Sequence, residues 1–386
     1  MGMKSLEYAS VKDRIVLLRS DFNSGVVDGK VLISERIKEG SQTIKLLKKK
    51  GAKVVVIAHQ GRPGSKDFTS LKQHANLINK LVKIKFVPDI FGKVAENEIK
   101  NLKSGQAILL ENVRTLKSEF RRRKSKFVKR LSSWCDIYVN DAFSVSHRGQ
   151  ASIVGFPKYM ESYAGPLLEK EVEALKKRSL KNCLYILSGA KPDDNILLIK
   201  KNKVLTGGLF GPMCLVALGK KLGEEEKYME QNIKNYHKTL KKLRKKLRKA
   251  GNLVKNPVDF AVRIKGKVKN INVKDFPLEY HAYDVGEKTI KNYIEEIKKA
   301  DSIYMKGPLG YYFERPFLRG TTEILKAISK SKAYSLLGGG DLSEAIEMSK
   351  ISKKGFGHIS LSGGALLDYV AGKKLPGLKA LGFYRK

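Results

Sequence analysis

The stretch KVVVIAHQGRP, residues 53–63, decides the fold. A run of strand length, KVVVIAH (53–59), is apolar and β-branched, then breaks off at a polar cluster, His59–Gln60–Gly61–Arg62–Pro63. A helical pattern, ERIKEGSQTIKLLKKKG, comes just before it. The same alternation repeats along the whole chain. Further strand candidates are RIVLL (14–18), AILLEN (107–112), DIYVNDAF (136–143), CLYILSG (183–189), SIYMKG (302–307), AYSLLGGG (333–340) and GHISLSGG (357–364). Helical segments such as SEAIEMSKI lie between them. This β–α alternation predicts an α/β fold whose parallel sheets are covered by helices on both faces. Many of the strands end in Gly, Asp, Asn or His. Ligands of open α/β sheets bind at the carboxyl ends of strands, so the chemistry is expected there.

The segment YAGPLLEKEVEALKKRS (163–179) reads as one amphipathic helix near mid-chain and is expected to connect two α/β domains. The length of 386 residues allows two to three domains and ample cores. No apolar run is long enough to span a membrane, and the first residues lack the apolar centre of a signal peptide. A cytoplasmic protein is expected. Cys135, Cys183 and Cys214 are odd in number, far apart and without a CxxC pair, which argues against structural disulfides and a cysteine zinc site.

The formal net charge is +39. Such a field attracts anions in general: nucleic acid, acidic lipid or phosphorylated metabolites. Lysine supplies most of it; of the 77 basic residues only seventeen are arginine. Two basic runs, RRRKSKFVKRL (121–131) and KTLKKLRKKLRKAG (238–251), keep apolar residues at helical spacing. They read first as the solvated faces of amphipathic helices. Read as nucleic-acid patches, they lack the interleaved aromatics that stack bases.

Five terminal blocks in the first half carry residues suited to an anion: Asp21–Phe22–Asn23, Arg36, His59–Gln60–Gly61–Arg62–Pro63, Glu111–Asn112–Val113–Arg114, and Asn140–Asp141–Ala142–Phe143 with His147–Arg148. Four of the scarce arginines fall in them, and the arginine fork grips phosphate or carboxylate with two hydrogen bonds. In this order and spacing the blocks DFN, RI, HQGRP, ENVR and NDAFSVSHR closely resemble the phosphoglycerate kinase family. The second half continues the resemblance through SGAK (188–191), KGPLG (306–310), GGGD (338–341), LSGGA (361–365) and LPGLKAL (375–381). It covers essentially the whole chain.

The resemblance implies two doubly wound parallel-sheet domains joined by a helix, with hinge closure bringing two substrates together. The expected division is 1–165 plus about 372–386 for 3-phosphoglycerate or 1,3-bisphosphoglycerate, a connecting helix 166–180, and 181–371 for Mg²⁺ with ADP or ATP. The implied reaction is reversible phosphoryl transfer from 1,3-bisphosphoglycerate to ADP, by a monomer, with no membrane, no specific nucleic-acid partner, and nonspecific polyanion binding at low salt. By the same resemblance Asp21, Asn23, Arg36, His59, Arg62, Arg114 and Arg148 would hold the glycerate. Arg36 and Lys191, with Gly363 and Gly364 at a helix start, would face the transferring group. Ser188, Gly189, Lys191, Asn195, Gly207, Lys306, Gly307, Pro308, Glu314, Gly338, Gly339, Gly340 and Asp341 would hold the nucleotide, and Asp341 the Mg²⁺. A loose phosphoryl transition state needs positioning and fixed positive charge rather than a covalent nucleophile, so the lack of a nucleophile motif fits. His147 and His358 are assigned to structure, and Asp193, Asp194 and Glu344 to first-turn helix charges.

Departures from the family pattern gather in the nucleotide half. A lysine four positions after the motif lysine is replaced by Asn195, and the Asn before Gly-Pro by Lys306. The usual ribose-binding Glu aligns with Phe313, leaving Glu314 displaced by one. Ser188, Leu361 and Ser362 also depart. Two readings follow: a rearranged working site in which Lys306 replaces the charge missing at 195, or a noncatalytic phosphoglycerate-binding regulator. A basic nucleic-acid-binding protein is the third alternative; no helix-turn-helix, RNA-binding or zinc motif supports it.

Overall fold

The computed structural model describes residues 2–121, 125–177 and 183–384. The chain divides into two compact units, Met1–Glu173 with Gly364–Lys386, and Ala174–Gly363.

The first unit is built on a six-stranded sheet: β1 (Ile15–Arg19), β2 (Lys53–Ile57), β3 (Lys85–Val87), β4 (Ala107–Leu110), β5 (Ile137–Asn140) and β6 (Glu161–Ala164). All are parallel, in the spatial order β3-β4-β2-β1-β5-β6. Successive residues of β1 and β2 serve opposite cores. Val16, Leu18, Val54 and Val56 pack on one face, and Leu17, Val55 and Ile57 on the other. Burial on both faces is why these strands read as continuous apolar runs. The helix Glu35–Lys49 begins at Ser34, whose hydroxyl accepts from Ile37 N, and buries Ile37, Ile44 and Leu47 along one stripe. Gly40 sits inside it because a Cβ there would come within 2.6 Å of Phe22.

The second unit carries β7 (Cys183–Leu187), β8 (Val204–Thr206), β9 (Val254–Lys255), β10 (Ser302–Lys306), β11 (Tyr334–Gly338) and β12 (His358–Ser360), parallel in the order β9-β8-β7-β10-β11-β12. The winding reverses between β7 and β10. In the first sheet it reverses between β1 and β5. These switch points are where doubly wound sheets open a crevice for ligand. A small antiparallel sheet of Asp259–Ile264, Lys267–Asn272 and Asp284–Val285 is added to the second unit.

The segment read as a helix over 163–179 starts later. Tyr163 and Ala164 end β6, and the helix is Pro166–Lys177. Proline suits the first helical position. Asp141 caps the start, its Oδ1 accepting from Leu167 N (2.8 Å) and Leu168 N (3.3 Å). Positions 178–180 of the expected connector lie outside the described residues. The chain re-enters the first unit at Gly364, earlier than the expected 372. The helix Gly364–Val370 lies against the turn Phe143–Val145 of that unit.

The basic run 238–251 falls on the helix Tyr236–Ala250, which buries Tyr236, Thr239, Leu243 and Leu247. In the other, 122–124 lie outside the described residues; the helix Lys126–Trp134 buries Phe127, Val128 and Leu131. The three cysteines are buried, and among the described residues none forms a disulfide. No helix among the described residues is long and apolar enough to cross a membrane.

Candidate functional site

In the first unit the predicted residues gather at the carboxyl ends of β1, β2, β4 and β5. Asp21 follows β1. Its Oδ1 accepts from Asn23 N (3.1 Å), and its Oδ2 takes the Ser144 hydroxyl and lies 3.2 Å from Arg36 Nη1. Burial alone would raise its pKa. The charge of Arg36 and the hydrogen bonds from Ser144 and Asn23 N outweigh that and hold the carboxyl well below the usual range. Asn23 pins two loops: its Oδ1 accepts from Gly61 N (2.8 Å), and its carbonyl from Arg36 Nη1 (3.2 Å). Gly61 is required there, with φ +63° and the backbone of Asp67 2.6 Å from any added Cβ.

Arg114 is buried and donates to the carbonyl of Gly61. Burial pulls its pKa down to about 10, and the charges of Arg19 and Arg148 add to that. Arg148 is lowered too, by burial and then by Arg62. The Nε atoms of both Arg114 and Arg148 are buried and find no hydrogen-bond partner among the described residues. Closely set guanidinium groups with unspent Nε–H donors form a cradle suited to an anion.

Near the start of the helix Gly364–Val370, a Cβ on Gly364 would lie 3.0 Å from His147 Nε2, whereas one on Gly363 would meet open space. The division between the units runs between these two glycines.

In the second unit the switch point between β7 and β10 is floored by backbone. Ser188 N donates to Lys306 O (2.8 Å), Gly207 N to Leu187 O (3.1 Å) and Gly208 N to Leu309 O (2.8 Å). The Ser188 hydroxyl donates to Pro308 O. A Cβ on Gly207 would strike Leu309 at 2.2 Å. Gly189 and Gly307 hold positive φ, +86° and +80°. The chain therefore comes close enough for backbone to meet a ligand directly.

Asn195 is fully buried in the short helix Pro192–Ile196. Its Nδ2 donates to Ser188 O (3.0 Å), and its Oδ1 accepts from Lys306 Nζ (3.0 Å). Lys306 reaches Asp194 Oδ2 at 3.5 Å as well. Burial lowers its pKa against the pull of Asp194, and the charge of Lys191 adds to the lowering. The Lys306 ammonium is thus held against the Asn195 side chain at the switch point. Lys191 is exposed at the N-cap of that helix. Gly338 ends β11, Gly339 has φ +116°, and Gly340 and Asp341 open the helix Gly340–Met348, with Asp341 exposed.

A cavity of about 600 Å³ within this unit is lined by Gly189, Gly208, Pro308, Glu314 and Asp341. Its other walls include the aromatic rings of Tyr228, Tyr283, Tyr311 and Phe313, which the sequence reading did not assign to the site. Glu314 is taken up in an ion pair with Arg263, whose guanidinium lies over Tyr283 and Phe317 at 5.3 and 5.1 Å. Phe313, at the position expected for a ribose-binding Glu, is 62% exposed and stacked on Tyr312. Asp193 accepts from Thr239, and Glu344 from Tyr312.

The sequence reading also missed Arg19, Ser152 and Glu119, a buried chain behind the first cradle. An arginine closing the apolar run RIVLLR was the available signal.

Two doubly wound units, one with an arginine cradle and one with a glycine-floored, lysine-flanked cavity, define an α/β kinase acting on small phosphorylated substrates. The phosphoglycerate kinase family profile matches residues 6–373. The phosphoglycerate kinase of Methanothermus fervidus is 39% identical, over 96% of this chain and 95% of that protein. That of Pyrococcus furiosus is 38% identical, over 98% and 96%. The crystal structure of phosphoglycerate kinase from Pyrococcus horikoshii OT3 superposes with a TM-score of 0.91 at 36% identity, over 99% of each chain. The chain belongs to the phosphoglycerate kinase family, and phosphoglycerate kinase activity goes with it.

Proposed function

We propose that this chain moves a phosphoryl group reversibly between 1,3-bisphosphoglycerate and ADP, with the roles divided as follows. The first unit takes the glycerate. Arg62, Arg114 and Arg148 grip its non-transferred phosphate, and Asp21, Asn23 and His59 orient the rest of the molecule. Arg36 faces the transferring group and is aimed by Asp21 and the carbonyl of Asn23. The observation that carries this reading is the pair of buried Nε atoms on Arg114 and Arg148 that have no partner among the described residues.

The second unit takes the nucleotide. Ser188, Gly189, Gly207, Gly307, Pro308 and the glycines 338–340 let backbone approach its phosphates and sugar. Lys306, held by Asn195, supplies the fixed charge beside them, and exposed Lys191 meets the group in transit. Gly363 and Gly364 leave room for its oxygens. Glu314 is tied to Arg263, and the ribose is better served by backbone on the Pro308–Gly310 side of the cavity.

Among the described residues no cluster of three or more His, Cys, Asp or Glu could hold a metal by itself. Mg²⁺ is commonly bound through one or two carboxylates together with substrate phosphates, and exposed Asp341 in the cavity wall fits that pattern. Bound there with the nucleotide, Mg²⁺ would supply charge neutralisation on the phosphate oxygens. The protein's own work is to align the groups and keep positive charge fixed where negative charge spreads. The protein acts in the cytoplasm as a monomer.

A coupled assay with ATP, Mg²⁺ and 3-phosphoglycerate, reading acyl phosphate formation, tests the reading. Turnover is expected. Tight 3-phosphoglycerate binding with no turnover would instead mark a noncatalytic regulator.

A further inference from the structure

Arg19, at the end of β1, has no exposed surface and is bound on three sides. Its Nε donates to Ser152 Oγ (3.0 Å), its Nη1 to the carbonyl of Ser20, and its Nη2 meets His59 Nδ1 at 3.1 Å. Ser152 passes its own hydroxyl proton to Glu119 Oε1 (2.6 Å), and its backbone N donates to Glu119 Oε2 (2.8 Å). Glu119 is fully buried as well. The proton count closes: one hydroxyl hydrogen goes to the carboxylate, and the hydroxyl lone pair takes Arg19.

A guanidinium has donors only. The His59 nitrogen facing it must be the bare, accepting one, so the ring proton sits on Nε2. Asp21 Oδ1 stands 3.9 Å from the same Nδ1, too far to compete as a hydrogen bond. Nε2 finds no partner among the described residues. Burial lowers the pKa of His59 well below its ordinary value, and Arg19, Arg114 and Arg36 around the ring add to this against the pull of Asp21.

We propose that Arg19 is a positioning residue: it fixes His59 as the neutral Nε2–H donor, and the Ser152–Glu119 pair holds Arg19 in the posture that does so. The use of that donor toward phosphoglycerate rests on the functional reading above; the tautomer itself does not. The consequence is a division of labour in the cradle. The arginines carry charge that does not titrate, and His59 adds a directed hydrogen bond without adding a titrating charge. Phosphoglycerate binding should then show no ionisation near the ordinary histidine value.

Long-range ¹H–¹⁵N correlation spectra of the full-length protein report which ring nitrogen carries the proton, with a His59→Gln variant to assign the signal. His59 should be the Nε2–H form and should not titrate from about pH 5.5 to about pH 8. An Nδ1–H ring, or titration within that range, overturns the proposal, and the wild-type protein alone decides this. Arg19→Met should raise KM for 3-phosphoglycerate by roughly tenfold or more, leave KM for ADP unchanged, and bring a histidine ionisation into the pH profile. Arg19→Lys, which can still donate, should restore part of the loss. If Arg19→Met does not fold, Glu119→Gln is expected to shift His59 in the same direction. A folded Arg19→Met protein with the wild-type tautomer and KM also sinks the idea. Absent turnover in the wild type would defeat the functional reading while leaving the tautomer result standing.

Discussion

Asn195 shows how far one residue can be read without its neighbours. On the sequence it is a missing cation beside a phosphate motif. In the structure it is a buried bracket, bonded to Ser188 O on one side and to Lys306 Nζ on the other. The ammonium beside it belongs to Lys306 at the end of β10, and the proposed reading has it stand in for the missing cation. Lys306→Ala should therefore weaken ADP binding by roughly tenfold to a hundredfold, the range of a lost charge-assisted hydrogen bond. Titration calorimetry with ADP measures this, and an unchanged affinity would leave the compensation without support. Asn195→Ala should have a smaller effect in the same direction, since it frees Lys306 without removing it. The pairing was legible as a hypothesis because both departures fell at ends of elements. Glu314 was not legible. Its partner Arg263 lies fifty-one positions earlier in sequence, on an antiparallel strand that the alternation pattern did not reveal.

At the scale of elements, buried acids at strand ends start several helices. Asp284 accepts from Gly320 N (2.7 Å) at the first turn of the helix Arg319–Lys330, and from Val285 N (2.8 Å). Burial pushes its pKa up to about 7, against those two bonds and the charge of Arg319. The folded state thus holds this proton where the unfolded chain, with its carboxyl near 4, has lost it. Stability from this group is full below about pH 4 and drains away as pH rises towards about 7. Asp284→Asn removes the titration and keeps an acceptor. Its unfolding free energy should fall less steeply between about pH 5 and about pH 7, by up to about 1.4 kcal/mol per pH unit. Denaturant titrations across that range check it, and parallel slopes for both proteins would refute it. Asp141, raised to about 7 by burial, contributes a slope of the same sign and remains in both proteins. The long strands were legible because burial on both faces leaves unbroken apolar runs. Lys85–Val87 and Val254–Lys255 were not, because so few residues carry no period. Tyr163 and Ala164 of the strand Glu161–Ala164 were absorbed into the following helix, whose true start is marked by Pro166.

On the whole molecule the governing quantity is the charge of +39. The ion pairs do not neutralise it, since basic residues outnumber acidic ones 77 to 38. Many of the pairs that form are short-range and exposed, such as Lys38–Glu35, Lys298–Glu295 and Lys326–Glu323, and pairs of that kind stabilise little. The surplus cations repel one another in the compact state, and unfolding spreads them apart. Added salt has two opposed effects. It weakens exposed pairs, each worth only a few tenths of a kcal/mol, and it screens a repulsion summed over the whole surface. The screening length shortens from about 30 Å at 0.01 M to about 8 Å at 0.15 M, so long-range repulsion loses most. With like charges twice as numerous as their partners, screening should win. Tm is expected to rise by several degrees between about 0.01 M and about 0.3 M NaCl, and nonspecific binding to polyanions should fade over the same range. Calorimetry in NaCl, with a matched series in an uncharged osmolyte of equal osmolarity, separates screening from general exclusion. A flat or falling Tm in NaCl would mean that local pairing, rather than net repulsion, sets the electrostatic contribution to this fold.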